Sequence, residues 1–319
     1  MQFFITGAAG FTGFATAQYL LQQGHTVIGL CRNDTQAKRL QATGIQPVLG
    51  TLETLAETTI PHVDVVLHCA ALLGKWAPYA EYEKVNVQGT KAAIEKAMAI
   101  GAQRFLHIST DMVLLNDADI CNATEETPLG NASYAYAKSK REAEVLLQSY
   151  HSQIEIVILR PRMIWGNTQN PLYKSMQQAA ETGRFLWLNK GRVQTSVTHV
   201  LNLAAAIELA AQHPAAAGQV YHVADKQPHT LYDFWQQQLA TQQLRLPDTS
   251  IPGWMARLMA DCIEPVWKCF GIKKAPPITR MAAVSFSRSC TLNTQKIACE
   301  LGYADIISFE EGLRQMKHH

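Results

Sequence analysis

The chain opens on Gln2-Phe-Phe-Ile-Thr6, a short apolar run, followed by a glycine-rich turn and a stretch with apolar residues every three or four positions over 11–23. This exchange of strand-like runs for helical periodicity repeats through the first half. It predicts strands at 2–6, 26–31, 46–49, 63–68, 104–109 and 154–159, and helices near 11–23, 35–43, 81–100 and 134–150. β-branched and aromatic runs alternating with helical stretches indicate a doubly wound α/β fold, a parallel sheet with helices on both faces. Gly24 follows the first helical stretch, where glycine commonly ends a helix.

After Pro161 the pattern becomes irregular, with short helices near 172–182, 200–212 and 230–243 between loops marked by Gly and Pro. The expected division is a first unit over 1–168, to which the chain returns at about 193–225, and a smaller mixed C-terminal unit over 169–192 and 226–319. Residues 251–272 are apolar but interrupted by Arg257, Asp261, Glu264 and Lys268, which helical spacing can gather on one side. Such a helix packs on its own core, covers an apolar pocket, or rests on a membrane surface.

With 47% hydrophobic and 17% charged residues among 319, the composition excludes intrinsic disorder. The 28 basic and 26 acidic residues leave +2, with no basic run to attract nucleic acid. No apolar stretch reaches the roughly 18 residues of a membrane span, and the N-terminus does not read as a secretion signal. Seven cysteines without a Cys-x-x-Cys pair read as reduced thiols, not as a disulfide frame or metal site. A cytoplasmic protein acting on a small molecule is expected.

Directly after the first strand stands Gly7-Ala-Ala9-Gly10-Phe11-Thr12-Gly13. Glycines there let backbone N–H groups and a helix N-terminus approach a pyrophosphate, so the segment predicts dinucleotide binding. Thr6-Gly7-x-x-Gly10-Phe11-x-Gly13 resembles the extended short-chain dehydrogenase/reductase superfamily. The resemblance implies a Rossmann-type sheet, a nicotinamide cofactor and a smaller substrate-binding domain. Cys31 stands where NAD-specific members carry Asp, and Arg32 follows; a guanidinium suits a 2′-phosphate. NADP(H) is therefore the preferred expectation, while Asp34 keeps NAD(H) open. Thr51-Leu52 follows Gly50 where the family has Gly-Asp-Leu beside the adenine, and Cys69-Ala70-Ala71 resembles the small-residue stretch against which the cofactor lies.

Two overlapping Tyr-x-x-x-Lys pairs, Tyr134/Lys138 and Tyr136/Lys140, have the same spacing on one helix face, so spacing alone does not choose between them. In either, an ammonium could lower a phenol's pKa. Tyr136-Ala-Lys-Ser-Lys140-Arg-Glu-Ala143-Glu144 is similar to the family's catalytic segment, and this favours Tyr136 and Lys140. The same resemblance assigns Thr110 the role of the catalytic hydroxyl, with Ser109 its competitor and a cofactor neighbour. It gives Asn86, in Val85-Asn-Val-x-Gly-Thr90, a place in positioning the site, and sets Pro161 and Arg162 beside the nicotinamide. Leu73, Trp76, Asp111, Met112, Met163 and Trp165 are the expected substrate contacts.

Pro276-Pro-Ile-Thr-Arg280, after the apolar 251–272 segment, is similar to the 3β-hydroxysteroid dehydrogenase-like branch. That likeness implies a secondary alcohol or ketone on a sterol-like or long-chain β-keto substrate. A nucleotide-sugar epimerase with tightly bound NAD and a non-catalytic NADPH sensor are the competing expectations. Met112 stands where dehydratases carry a second acid/base Glu. The superfamily commonly pairs through helices such as 81–100 and 134–150, so a homodimer is expected.

Overall fold

The computed structural model describes residues 1–317. The first half runs β1 (Gln2–Thr6), α1 (Phe11–Gln22), β2 (Thr26–Cys31), α2 (Asp34–Gln41), β3 (Gln46–Leu49), β4 (Val65–His68), α3 (Tyr79–Tyr82), α4 (Gly89–Ala99), β5 (Arg104–Ile108), β6 (Ile120–Ala123), α5 (Ala135–Gln148) and β7 (Glu155–Pro161). Then follow β8 (Ile164–Trp165), α6 (Pro171–Thr182), β9 (Trp187–Leu188), β10 (Gln194–Thr195), β11 (Thr198–His199), α7 (Val200–Gln212) and β12 (Val220–Val223). The chain ends through β13 (His229–Thr230), α8 (Leu231–Ala240), β14 (Ser250–Ile251), α9 (Gly253–Cys269), α10 (Arg280–Ser287), β15 (Cys290–Leu292), α11 (Gln295–Leu301) and α12 (Phe309–Met316).

Seven strands form one parallel sheet in the order β12-β7-β5-β4-β1-β2-β3. Alternate side chains of each strand enter opposite faces. Phe3 and Ile5 join Leu20, Leu203 and Ile207 on one side, while Phe4, Val66 and Phe105 join Ile94 and Leu147 on the other. The seventh strand, Val220–Val223, lies inside the expected return of the chain and pairs with β7. Gly24, with φ 81°, follows α1 and lets its last carbonyls be closed by backbone N–H groups.

The two units interleave more than the sequence pattern divides them. Residues 120–123, expected in the first unit, form the edge of a four-stranded mixed sheet, β13-β10-β15-β6. Conversely Ile297, Leu301 and Tyr303, expected in the smaller unit, are buried in the first unit's core beside Tyr221. Apolar faces separated by nearly 300 residues of chain meet here, and no local periodicity announces that. A second cluster, built on Trp165, Tyr173, Trp187, Phe234 and Trp235, fills the smaller unit.

Candidate active site

The carboxyl ends of β1, β4, β5 and β7 are in register, with Thr6 opposite His68, His68 opposite His107, and Ile108 opposite Leu159. Open α/β sheets bind ligands at this edge. Gly7 takes φ 73°, and a Cβ there would lie 2.8 Å from the Ala70 nitrogen; a Cβ on Gly13 would lie 2.3 Å from the Gly7 oxygen. Only glycine permits this tight passage from strand to helix. Gly10 caps α1 without a side-chain hydrogen bond, and the first turn holds no acid. Its leading N–H groups therefore face outward as an anion cradle, which fits a dinucleotide pyrophosphate. Ala9, Phe11 and Thr12 are partly buried around it, and Cys69 and Ala70 form the opposite wall.

A buried hydrogen-bond chain ties this turn to Asn86. Thr90 donates to the Asn86 carbonyl at 2.6 Å, so it accepts from His68 Nε2 at 3.1 Å. His68 Nδ1 then accepts from Thr6 at 2.7 Å. Burial drives the His68 pKa down to about 3, so the ring stays neutral in this role. Asn86 lies in a wide π-helical turn, Glu83–Gln88, between α3 and α4. Its side chain accepts from the Leu72 N–H at 2.7 Å and donates to the Leu72 carbonyl and to Ser139 on α5. A regular helix over 81–100 is thus interrupted where Asn86 bridges two other segments.

Tyr136 and Lys140 share the inner face of α5, and both are buried. The Lys140 ammonium donates to the Ile108 carbonyl at 2.7 Å and to His107 Nε2 at 3.0 Å. Burial pulls its pKa from 10.5 down to about 8. The Tyr136 phenol is pushed well above its ordinary value by burial and by the Asp111 charge, while the neighbouring Thr110 hydroxyl acts in the opposite direction. The phenol is thus raised overall, not lowered as the tyrosine–lysine spacing suggests, and the Lys140 ammonium is hydrogen-bonded to His107 and Ile108. Tyr134 instead gives its hydroxyl to Asp117, and Lys138 lies on the outer side near Glu142 and over the Tyr79 ring. The two overlapping pairs therefore point to different surroundings.

Thr110 accepts from the Met112 N–H at 3.2 Å and opens a short turn. Ser109 donates to Glu144, whose other contacts are with the buried Arg160. Several expected contacts are engaged inside the protein. Asp111 and Arg162 form a buried ion pair, and Arg162 also donates to Thr195 at 2.8 Å. Trp165, expected against substrate, is instead buried in the aromatic cluster and donates to Asp225 at 2.8 Å. Its indole needs a partner once buried, and Asp225 supplies one. Met112 and Met163 are partly buried, the latter with φ 40°. Leu73 is exposed, and Trp76 donates to the Ile272 carbonyl at 2.9 Å. Pro161 ends β7 at the sheet edge.

On the adenosine side, Arg32 is exposed just past β2. Arg39 escapes any motif, yet it sits 4.1 Å over the Phe14 ring and donates to the Ala9 carbonyl. Thr51 is engaged with Thr54 in a turn, and Leu52 packs against Gly89. His107 also carries no signal in sequence, since one histidine in a buried strand resembles any core position.

Residues 3–224 match the model of the NAD dependent epimerase/dehydratase family. The chain belongs to that family. It is 34% identical over 322 residues to a 4-hydroxy-2-methyl-3-oxo-4-farnesyl-3,4-dihydroquinoline-1-oxide ketoreductase of Stigmatella aurantiaca, covering 99% of this chain and 96% of that one. It is 26% identical to a decarboxylating sterol-4-alpha-carboxylate 3-dehydrogenase of Dictyostelium discoideum, covering 98% and 99%. The fold is that of a UDP-glucuronic acid 4-epimerase from Bacillus cereus solved with NAD, with a TM-score of 0.73, 19% identity and coverage of 100% and 96%. As an epimerase/dehydratase-family member with such relatives, the chain is an NAD(P)-dependent oxidoreductase of the extended short-chain type.

Proposed function

We propose that this family member interconverts a secondary alcohol and a ketone on a hydrophobic, sterol-like or long-chain β-keto substrate, with NADP(H) as the preferred cofactor. The observation that carries the reading is the inner face of α5. Tyr136 is buried beside Thr110, one turn from Lys140, at the sheet edge where the glycine turn offers its N–H groups. The names of the relatives, a ketoreductase and a sterol dehydrogenase, support the same substrate class.

When bound, the nicotinamide cofactor supplies or takes the hydride. The protein manages the proton and the orientation. Tyr136 stands protonated near neutrality and gives its phenolic proton to the ketone oxygen in reduction; in oxidation it takes that proton back. Thr110 donates a hydrogen bond to the same oxygen. Lys140 would hold the nicotinamide ribose of a bound cofactor, and Asn86 steadies α5 and the 72–78 loop from its wide turn. Arg32, with Arg39 at the other end of α2, offers guanidinium groups to a 2′-phosphate.

The test is nicotinamide absorbance with NADPH and NADH against hydrophobic ketones and sterol-like alcohols, with nucleotide sugars as a second panel. Net cofactor oxidation or reduction on the apolar panel is expected. Tyr136→Phe should abolish it with cofactor affinity nearly intact, while Tyr134→Phe leaves most of it. Arg32→Ala should weaken NADPH roughly tenfold or more, as loss of a charge-assisted contact does, and NADH far less. Sugar conversion without net cofactor change would make the protein an epimerase, and equal losses for both cofactors in Arg32→Ala would remove the 2′-phosphate argument.

A further inference from the structure

Helix α9 is amphipathic in the reverse sense for a helix facing water. Its packed side is small, with Gly253, Ala256 and Ala260 buried near Ala283 of α10. At 100° per residue, Trp254, Met255, Leu258, Met259, Val266 and Phe270 fall on the opposite half, and all six are exposed, Phe270 by 75%. One charge, Asp261, lies at the border of that half, in line with Trp254. A contiguous exposed apolar surface of this kind marks a docking site.

The charges around the face decide what it meets. Its acids are paired: exposed Asp261 lies 2.5 Å from Arg280, and buried Glu264 accepts from the Arg280 N–H at 2.6 Å and pairs with Lys268. The remaining charge is cationic at both ends. Lys273 and Lys274 are exposed beyond the C-terminal end. At the N-terminal end Arg192, Arg257 and Arg288 line a cavity of about 300 Å³ beside Trp254; Asp119 in the same lining lies 3.8 Å from Arg288, which leaves the lining net cationic. Arg288 Nε there is buried without a partner.

We propose that α9 docks this protein on an anionic phospholipid bilayer. The helix lies in the plane of the interface with its apolar half among the acyl chains. The three arginines take a lipid phosphate, and the two lysines complete a cationic rim attracted to anionic headgroups. A second copy of the chain fits less well. Any two-fold pairing of α9, parallel or antiparallel, sets one cationic end against another. Among the described residues no helix is long and apolar enough to cross a membrane. Trp76, hydrogen-bonded to Ile272, links this face to the loop that leaves the cofactor-lining stretch Cys69–Ala71.

The experiment is flotation of the full chain with phosphatidylcholine vesicles, with and without phosphatidylglycerol, alongside light scattering in the absence of lipid. Binding is read without turnover, so its failure is separate from failure of the oxidoreductase reading. The chain should float with anionic vesicles and roughly tenfold less with neutral ones. Leu258→Glu should abolish flotation with an unchanged melting temperature and NADPH affinity. Lys273→Ala with Lys274→Ala should weaken it on anionic vesicles alone. No flotation of the unmodified chain on anionic vesicles, or undiminished flotation of Leu258→Glu, overturns the proposal. So does a lipid-free oligomer that Leu258→Glu dissociates, which would assign the face to a second copy.

Discussion

Lys140 is charged at neutral pH in a place that disfavours charge. The unfolded chain keeps this proton up to about pH 10.5 by the ordinary lysine value, whereas the folded chain releases it near 8. Between those values the unfolded state binds more protons, so the folded state gains stability as pH rises. Lys140→Met has no such proton to lose. In urea melts, the stability of the native protein relative to Lys140→Met should rise by about 1 kcal/mol from pH 7 to pH 9. A flat difference would mean that the lysine is not perturbed. The lysine itself was singled out in sequence by the resemblance of Tyr136, Ser139, Ala143 and Glu144 to the family's catalytic segment. What sets its proton affinity was not, because the burial that lowers it is made by elements distant in sequence, among them β5, whose His107 and Ile108 lie against its ammonium.

At the scale of the element, the turn between β1 and α1 is fixed by contacts that a single methyl group would break. Gly13 lies inside α1, where alanine ordinarily stabilises a helix by up to about 1 kcal/mol. Its Cβ, however, would stand 2.3 Å from the Gly7 carbonyl oxygen, which is backbone and cannot rotate away. Overpacking of this kind costs about 1–3 kcal/mol, so the strain wins. Gly13→Ala should lower the melting temperature and reduce NADPH affinity more than tenfold; an unchanged melt with full affinity would show that the turn has room. This element could be read in advance because strand, glycines and helix are contiguous. Asn86 shows the opposite case: its motif was legible, but the wide turn that carries it depends on Leu72 and Ser139, from two other parts of the chain.

For the whole molecule, the question is whether residues 1–168 stand alone without the expected return of the chain at about 193–225 and the elements that follow it. One face of its sheet is covered by Leu203 and Ile207 of α7 and by Ile297, Leu301 and Tyr303 at and beyond α11. Each such side chain contributes about 1.5–3 kcal/mol on burial, and five of them match the whole net stability of an ordinary domain, about 5–15 kcal/mol. Arg104 adds a polar tie. From β5 it donates to the Ala210, Ala211 and His213 carbonyls at the end of α7, at 2.7, 3.0 and 2.9 Å. A fragment ending at residue 168 keeps that buried guanidinium and removes those acceptors, and it bares β7, which loses β12 as its edge partner. Residues 1–168 alone should therefore give no cooperative thermal transition by circular dichroism and no NADPH binding, while the full chain gives both. A cooperative melt of the fragment would mean that α7 and α11 decorate a self-sufficient sheet. The observed packing argues instead that the dinucleotide half is completed only when the returning α7 and β12 and the later α11 have packed on its sheet, so that cofactor binding depends on those elements as well.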